Sequence, residues 1–153
     1  MIEAPTTVED IKTIEPTTHQ DRVFVAQLGK PEAALFLRTY ARTLKDEGKP
    51  IAICGVTPVW TGVGDLWVVM SDEAYRQAAV TARHLRQLTE DAREVILAHR
   101  LQATVADDNE RMMTFLKKLG FEQEGCLRAY YEPGRDYLMF SKIWREPLEV
   151  KAA

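Results

Sequence analysis

The chain is short of the residues that build metal centres and disulfide frameworks: it has two cysteines and three histidines among 153 residues. Cys54 and Cys126 form neither a CxxC pair nor a Cys/His ligand spacing, and both sit in apolar stretches, so they are expected to be reduced, buried thiols. His19, His84 and His99 do not make a ligand set. His84 and His99 are expected on a surface helix, and no metal is predicted. An excess of positive charge is also missing. The formal net charge is −3, which excludes a broad basic face for nucleic acid or anionic lipid, because phosphate binding needs clustered Lys and Arg. No stretch approaches the ~18 apolar residues of a membrane span, and Met1–Pro5 lacks the basic start of a signal peptide. A soluble, unprocessed chain is expected. Repeats, low-complexity tracts and Pro/Gly-rich linkers are absent, so residues 1–147 read as one domain followed by a tail, 148–153.

What is present reads as alternating strands and helices. An apolar content of 46% suits one compact α/β domain that buries its own core. Met1–Ala4 is a candidate strand, and Thr6-Thr7-Val8-Glu9-Asp10, with Thr followed three residues later by an acid, has the capping-box pattern of a helix that ends before Pro16. From Thr17 to Leu44 the signals conflict. Arg22–Gln27 suits helix or strand, and Pro31-Glu32-Ala33 resembles a helix start. Turns at Asp46-Glu47-Gly48 and Thr61–Asp65 then separate Thr43-Leu44, Pro50–Val56 and Leu66–Met70 into a β-meander. Ser71 is placed to cap a long amphipathic helix through Ile96, with a break expected near Thr89. Leu101–Ala106 alternates as a strand. Asp107 or Asp108 is expected to cap the short helix Glu110–Leu119, and Gly120 to end it. Phe121–Tyr131 and Tyr137–Trp144 read as a closing hairpin around Glu132–Asp136.

Asp108–Phe121, then Glu124-Gly125 and Tyr130–Met139, resemble the C-terminal half of the GCN5-related N-acetyltransferase (GNAT) fold: a strand, an Asn-led helix, Leu-Gly-Phe and a closing hairpin. The resemblance implies an α/β domain with a mixed, mostly antiparallel sheet flanked by helices. Leu66–Met70 and Leu101–Ala106 would then be neighbouring parallel strands that splay apart at one end. Lys49–Gly55, Leu66–Asp72 and Met113–Gly120 are similar to the small GNAT-like internal virion proteins of short-tailed bacteriophages and prophages. That narrower likeness implies a role in particle assembly, with phage particle proteins as partners and the virion or host cytoplasm as location.

The residues weigh against acetyl transfer. In an active GNAT domain a glycine-bearing loop after the fourth strand lets backbone N–H groups hold the coenzyme A pyrophosphate. Here Ser71–Ala79 contains no glycine, and Asp72 and Glu73 open the helix. Two unit charges ~4–6 Å apart repel by roughly 3–4 kcal/mol at an effective dielectric near 20, against about 0.3–2 kcal/mol of helix-terminus attraction. Leu116 stands where the resemblance implies a proton-donating Tyr. Tyr130, Tyr131 and Tyr137 are substitutes or packing residues. Asn109 matches an Asn that contacts the cofactor in many members, and it also suits a helix cap. No catalytic residue and no cofactor are therefore expected. Trp60, Trp67 and the mixed-charge helix face are candidate contact surfaces. The alternatives are an acetyl-CoA-dependent N-acetyltransferase acting on an unknown amine and a module that binds a host protein as a decoy.

Overall fold

The computed structural model describes residues 1–30, 40–146 and 148, and the proposed helix start at Pro31–Ala33 lies outside them. The chain runs β1 (Ile2–Pro5), α1 (Val8–Thr13), α2 (His19–Leu28), β2 (Ala41–Asp46), β3 (Lys49–Trp60), β4 (Val63–Met70), α3 (Asp72–Arg76) and α4 (Ala78–Ile96). It continues through β5 (Arg100–Ala106), α5 (Glu110–Lys118), β6 (Glu122–Glu132) and β7 (Arg135–Ile143). The strands form one sheet in the order β1-β2-β3-β4-β5-β7-β6. Among the described residues only β4 and β5 pair in parallel, so the sheet is mixed and mostly antiparallel, as expected.

Local chemistry sets the boundaries. Thr7 and Asp10 form a complete capping box on α1, each side chain bonding the other's backbone. Glu47 and Gly48 both take positive φ, 49° and 76°, which gives β2 and β3 a tight two-residue hairpin turn. The second turn contracts to Thr61-Gly62. β4 starts early, at Val63, because Gly64 leaves room for Ile96 and Val56, whose methyls come within 2.6 Å of where a Cβ would stand.

The long helix breaks at Gln77 and not near Thr89. Gln77 leaves helical geometry (ψ 40°), and its amide bonds Glu73 and Asp46, both at 2.8 Å. Thr89 stays inside α4 because its hydroxyl donates to the Leu85 carbonyl at 2.8 Å. His99 falls beyond that helix, in the short link to β5, where it packs against Gly62. Asn109 caps α5, displacing the expected Asp107 or Asp108.

The sheet buries both faces. Ala82, Leu85, Leu88 and Ala92 of α4 join Met112, Phe115 and Leu116 of α5 over one face; Ile11, Ile14 and Leu28 cover Ile53 and Val69 on the other. At roughly 1.5–3 kcal/mol per fully buried large apolar side chain, these two layers dominate the folding free energy. Cys54 is buried as expected, but Cys126 is exposed, because β6 is an edge strand open to solvent over most of its length. Trp67 packs against Phe24 at 5.2 Å and over Gly55, while Trp60 stays 74% exposed.

Candidate functional site

β4 and β5 pair only at Val63↔Arg100, Gly64↔Leu101 and Asp65↔Gln102. Beyond Asp65 they diverge, because Leu66–Met70 continues along β3 while Ala103–Ala106 continues along β7. The predicted splayed pair is therefore present, and it opens a wedge at the C-terminal ends of both strands. A cavity of about 200 Å³ lies in it, walled by Phe24, Trp67, Asn109, Leu116, Tyr130 and Tyr131, among others.

The wedge is bridged from α2. Thr18 caps that helix by accepting the Asp21 amide at 3.1 Å, which fixes Gln20 and Asp21 in the first turn above the gap. Gln20 Oε1 accepts the Ala106 amide at 3.2 Å, and Asp21 Oδ2 accepts the Met70 amide at 3.2 Å. Both strand ends are thus tied to one helix. The Thr17 amide also donates to the Met70 carbonyl at 3.0 Å, and the Thr17 hydroxyl donates to Asp72 at 2.9 Å. Met70 therefore has both backbone groups satisfied by Thr17–Asp21, so an extended ligand pairing there must displace them. Burial pushes the Asp21 carboxyl up to about 6, against the lowering effect of the Met70 amide.

The turn after β4 is an N-cap: Ser71 Oγ accepts the Ala74 amide. Asp72 and Glu73 follow it, Asp72 held by Thr17 and Glu73 by Arg76 and Gln77. A depression of about 640 Å³ beside this turn carries five carboxylates (Glu15, Asp46, Glu47, Asp72, Glu73) against two cations, Lys49 and Arg76. Its charge opposes an anionic ligand.

The sequence-predicted residues divide. Asn109 does line the wedge, with its side-chain oxygen accepting the Met112 amide at 3.2 Å as the α5 cap. Leu116 is buried in the wedge wall and has no proton to give. Tyr130 and Tyr131 are about half exposed and face the cavity, while Tyr137 is buried against both rings at 5.9 and 5.7 Å. Among the described residues no group of His, Cys, Asp and Glu is placed to hold a metal ion. Gln20, Asp21 and Thr57 escaped sequence reasoning. Thr18-x-x-Asp21 repeats the Thr7-x-x-Asp10 pattern and is the signal that marks the α2 start. Thr57 Oγ1 and Trp67 Nε1, from two wall residues of the wedge, are buried with no hydrogen-bond partner among the described residues.

A seven-stranded sheet with one splayed parallel pair and a helix-capped wedge is the architecture the sequence resemblance implied. The chain belongs to the Acetyltransferase (GNAT) family, whose pattern matches residues 5–121. No curated protein matches it by sequence. Among solved structures it is similar to Ard1 from Thermoplasma volcanium, with TM-score 0.72 and 17% identity over 95% of this chain and 98% of that one. It is also similar to ribosomal-protein-alanine N-acetyltransferase from Brucella melitensis, with TM-score 0.66 and 18% identity over 94% of this chain and 100% of that one. Acetyltransferase (GNAT family) from Bacillus anthracis gives TM-score 0.69 and 10% identity over 92% and 93%. At such identities the likeness establishes the fold.

The family implies coenzyme A. The residues after β4 do not fit its pyrophosphate: the turn has no glycine, two acids begin the helix, and Met70 is already paired by the chain itself.

Proposed function

We propose that this chain is an acetyltransferase-family domain that acts by binding protein partners and not by acetyl transfer. The observation that carries the reading is the double engagement of Met70 by Thr17 and Asp21 at the open end of β4, next to Asp72 and Glu73. The Thr17 backbone amide and the Asp21 carboxylate stand along the strand edge that an extended cofactor needs. Leu116 removes the proton donor that the resemblance implies. For the setting we propose a bacteriophage or prophage particle, with particle proteins as partners and the virion or host cytoplasm as location. Support for that finer reading is confined to the likeness carried by Lys49–Gly55, Leu66–Asp72 and Met113–Gly120. Exposed Trp60 is a contact candidate, since Trp is favoured at interface centres.

The family match favours the other reading, an acetyl-CoA-dependent N-acetyltransferase, over a particle protein, and one observation in the wedge supports it as well. Asp21, with its carboxyl near 6, stands in the wedge with Tyr130 and Tyr131, and a general base poised near operating pH is what amine deprotonation needs. Mass spectrometry of small amines and peptides incubated with the protein and acetyl-CoA separates the two. The binding reading predicts no acetylated product above the protein-free control; enzyme-dependent product abolished in Asp21→Asn would establish the enzyme. Proteomics of purified virions tests the setting. Absence from particles and assembly intermediates, with the protein free in lysate, contradicts it.

A further inference from the structure

The wedge holds two polar groups that the chain itself does not use. Thr57 Oγ1 and Trp67 Nε1 are buried, their residues wall the same cavity, and neither atom has a hydrogen-bond partner among the described residues. A buried group left unpaired carries its full desolvation penalty, so two of them at one cavity point to a ligand. They share a face of the sheet. Trp67 stands opposite Gly55 and Asp65 opposite Thr57 in the β3–β4 register, and residues two apart on a strand point the same way.

Asp65 completes the set. A relay crosses the sheet to reach it: Glu124 holds Arg100, Arg100 Nε donates to Gln102 Oε1 at 2.9 Å, and Gln102 Nε2 donates to Asp65 Oδ1 at 2.8 Å. Arg100 thus decides which end of the Gln102 amide faces Asp65. Asp65 Oδ2 has no partner among the described residues. The cavity therefore offers a donor at Trp67, an acceptor at Asp65 and a hydroxyl of either sense at Thr57, beside the rings of Phe24, Tyr130 and Tyr131.

We propose that the wedge binds a neutral carboxamide carried on an apolar body. Its oxygen accepts from Trp67 Nε1 and the Thr57 hydroxyl, its N–H donates to Asp65, and its body lies against the three rings. Alternate residues of one strand stand about 7 Å apart, which one amide with a hydrogen bond at each end spans. A carboxylate would meet both Asp21 and Asp65 in the wall. An ammonium brings only donors and leaves the indole N–H unanswered. At about 200 Å³ the cavity is smaller than drug-sized pockets, so one side chain or one small ring suits it. The ligand is then a Gln or Asn side chain of a protein partner, or a small free carboxamide. This rests on the partner-binding reading of the wedge and names the chemistry it recognises.

The test uses the full chain labelled with nitrogen-15 and three probes that share a ring: benzamide, benzylamine and benzoate. Benzamide should shift the Trp67 indole N–H saturably below about 5 mM, at least about tenfold tighter than either charged probe. Trp67→Phe, checked for folding by circular dichroism, identifies that signal and should weaken benzamide about tenfold. Thr57→Val should weaken it too, yet raise the melting temperature of the free protein, because a buried unpaired hydroxyl is gone. Blocked peptides with Gln at the centre distinguish the sources: tighter binding than benzamide assigns a protein partner, weaker binding a free molecule. Equal or tighter binding of benzylamine or benzoate overturns the proposal, as does the lack of a saturable shift with benzamide. So does a lowered melting temperature in Thr57→Val, which would mean that the hydroxyl is already satisfied. No acetyl-CoA is present in the titration, so acetyl transfer, which would end the partner-binding reading, is a separate result.

Discussion

Asp21 Oδ2 accepts the Met70 amide at 3.2 Å, joining residues 49 apart in sequence at the mouth of the β4–β5 wedge. The acid is buried, and its carboxyl moves from 3.8 up to about 6, chiefly by desolvation. A raised acid pKa means that the folded state holds the proton more tightly than the unfolded state. The contribution is therefore full below about pH 4 and is lost as pH rises through about 6. Asp21→Asn keeps an oxygen for the Met70 amide and removes the charge. It should be more stable than wild type at pH 8, by about 1–3 kcal/mol, with the difference shrinking toward pH 4. Urea unfolding of both proteins across that range measures it; a difference independent of pH would show that Asp21 is not desolvated.

Trp67 lies flat over Gly55, and a Cβ at Gly55 would overlap its six-membered ring. Gly55→Ala therefore forces the indole out of its contact with Phe24 or bends β3. We expect a loss of about 1–3 kcal/mol, the range for overpacking a well-filled core. Gly125→Ala meets open space at an ordinary φ and should be neutral or slightly stabilising in dilute solution, because alanine lowers the entropy of the unfolded chain. Equal thermal shifts for the two variants would refute the packing argument.

Cys54 and Cys126 should differ sharply toward maleimide. Cys54 is fully buried, and desolvation pushes its thiol up to about 12, so it holds almost no thiolate at neutral pH. Cys126 is exposed. Native, dilute protein should take up one equivalent quickly and the second only on unfolding, as intact mass will report. Two fast equivalents would mean that the sheet opens around Cys54.

Local rules located much of this fold. The Thr7–Asp10 box, the Glu47-Gly48 turn, the apolar spacing along Ala82–Ala92 and Gly120 at φ 92° each follow from one to four neighbouring residues. Failures came where distant contacts decided. Gln77 breaks the helix because Asp46, 31 residues away, takes its amide, and Thr89 gives no break because its hydroxyl finds a helical carbonyl. α2 was ambiguous because its apolar residues, Val23, Phe24, Val25 and Leu28, form no narrow stripe. Within the wedge, Asn109 and Leu116 were legible by family likeness. Asp21 and Gln20 were not, since an acid in a first helical turn looks like dipole compensation until the strand it reaches is known.

The acidic start of α3 makes a separable prediction. If Asp72 and Glu73 repel phosphate and crowd the backbone, Asp72→Gly with Glu73→Gly should raise affinity for coenzyme A by tenfold or more, since even one opposed charge pair is worth about 1.4 kcal/mol in a partly screened site. An unchanged affinity would place the obstacle in the wedge itself, at Thr17 and Asp21.

Calorimetric titration of the purified wild-type protein with acetyl-CoA, with mass spectrometry for coenzyme A carried through purification, tests the central claim. The account predicts no co-purified cofactor and no saturable heat below about millimolar ligand, an affinity no better than roughly −4 kcal/mol. A dissociation constant in the low micromolar range, or stoichiometric coenzyme A in the purified protein, would contradict it and make the wedge the active site of an acetyltransferase.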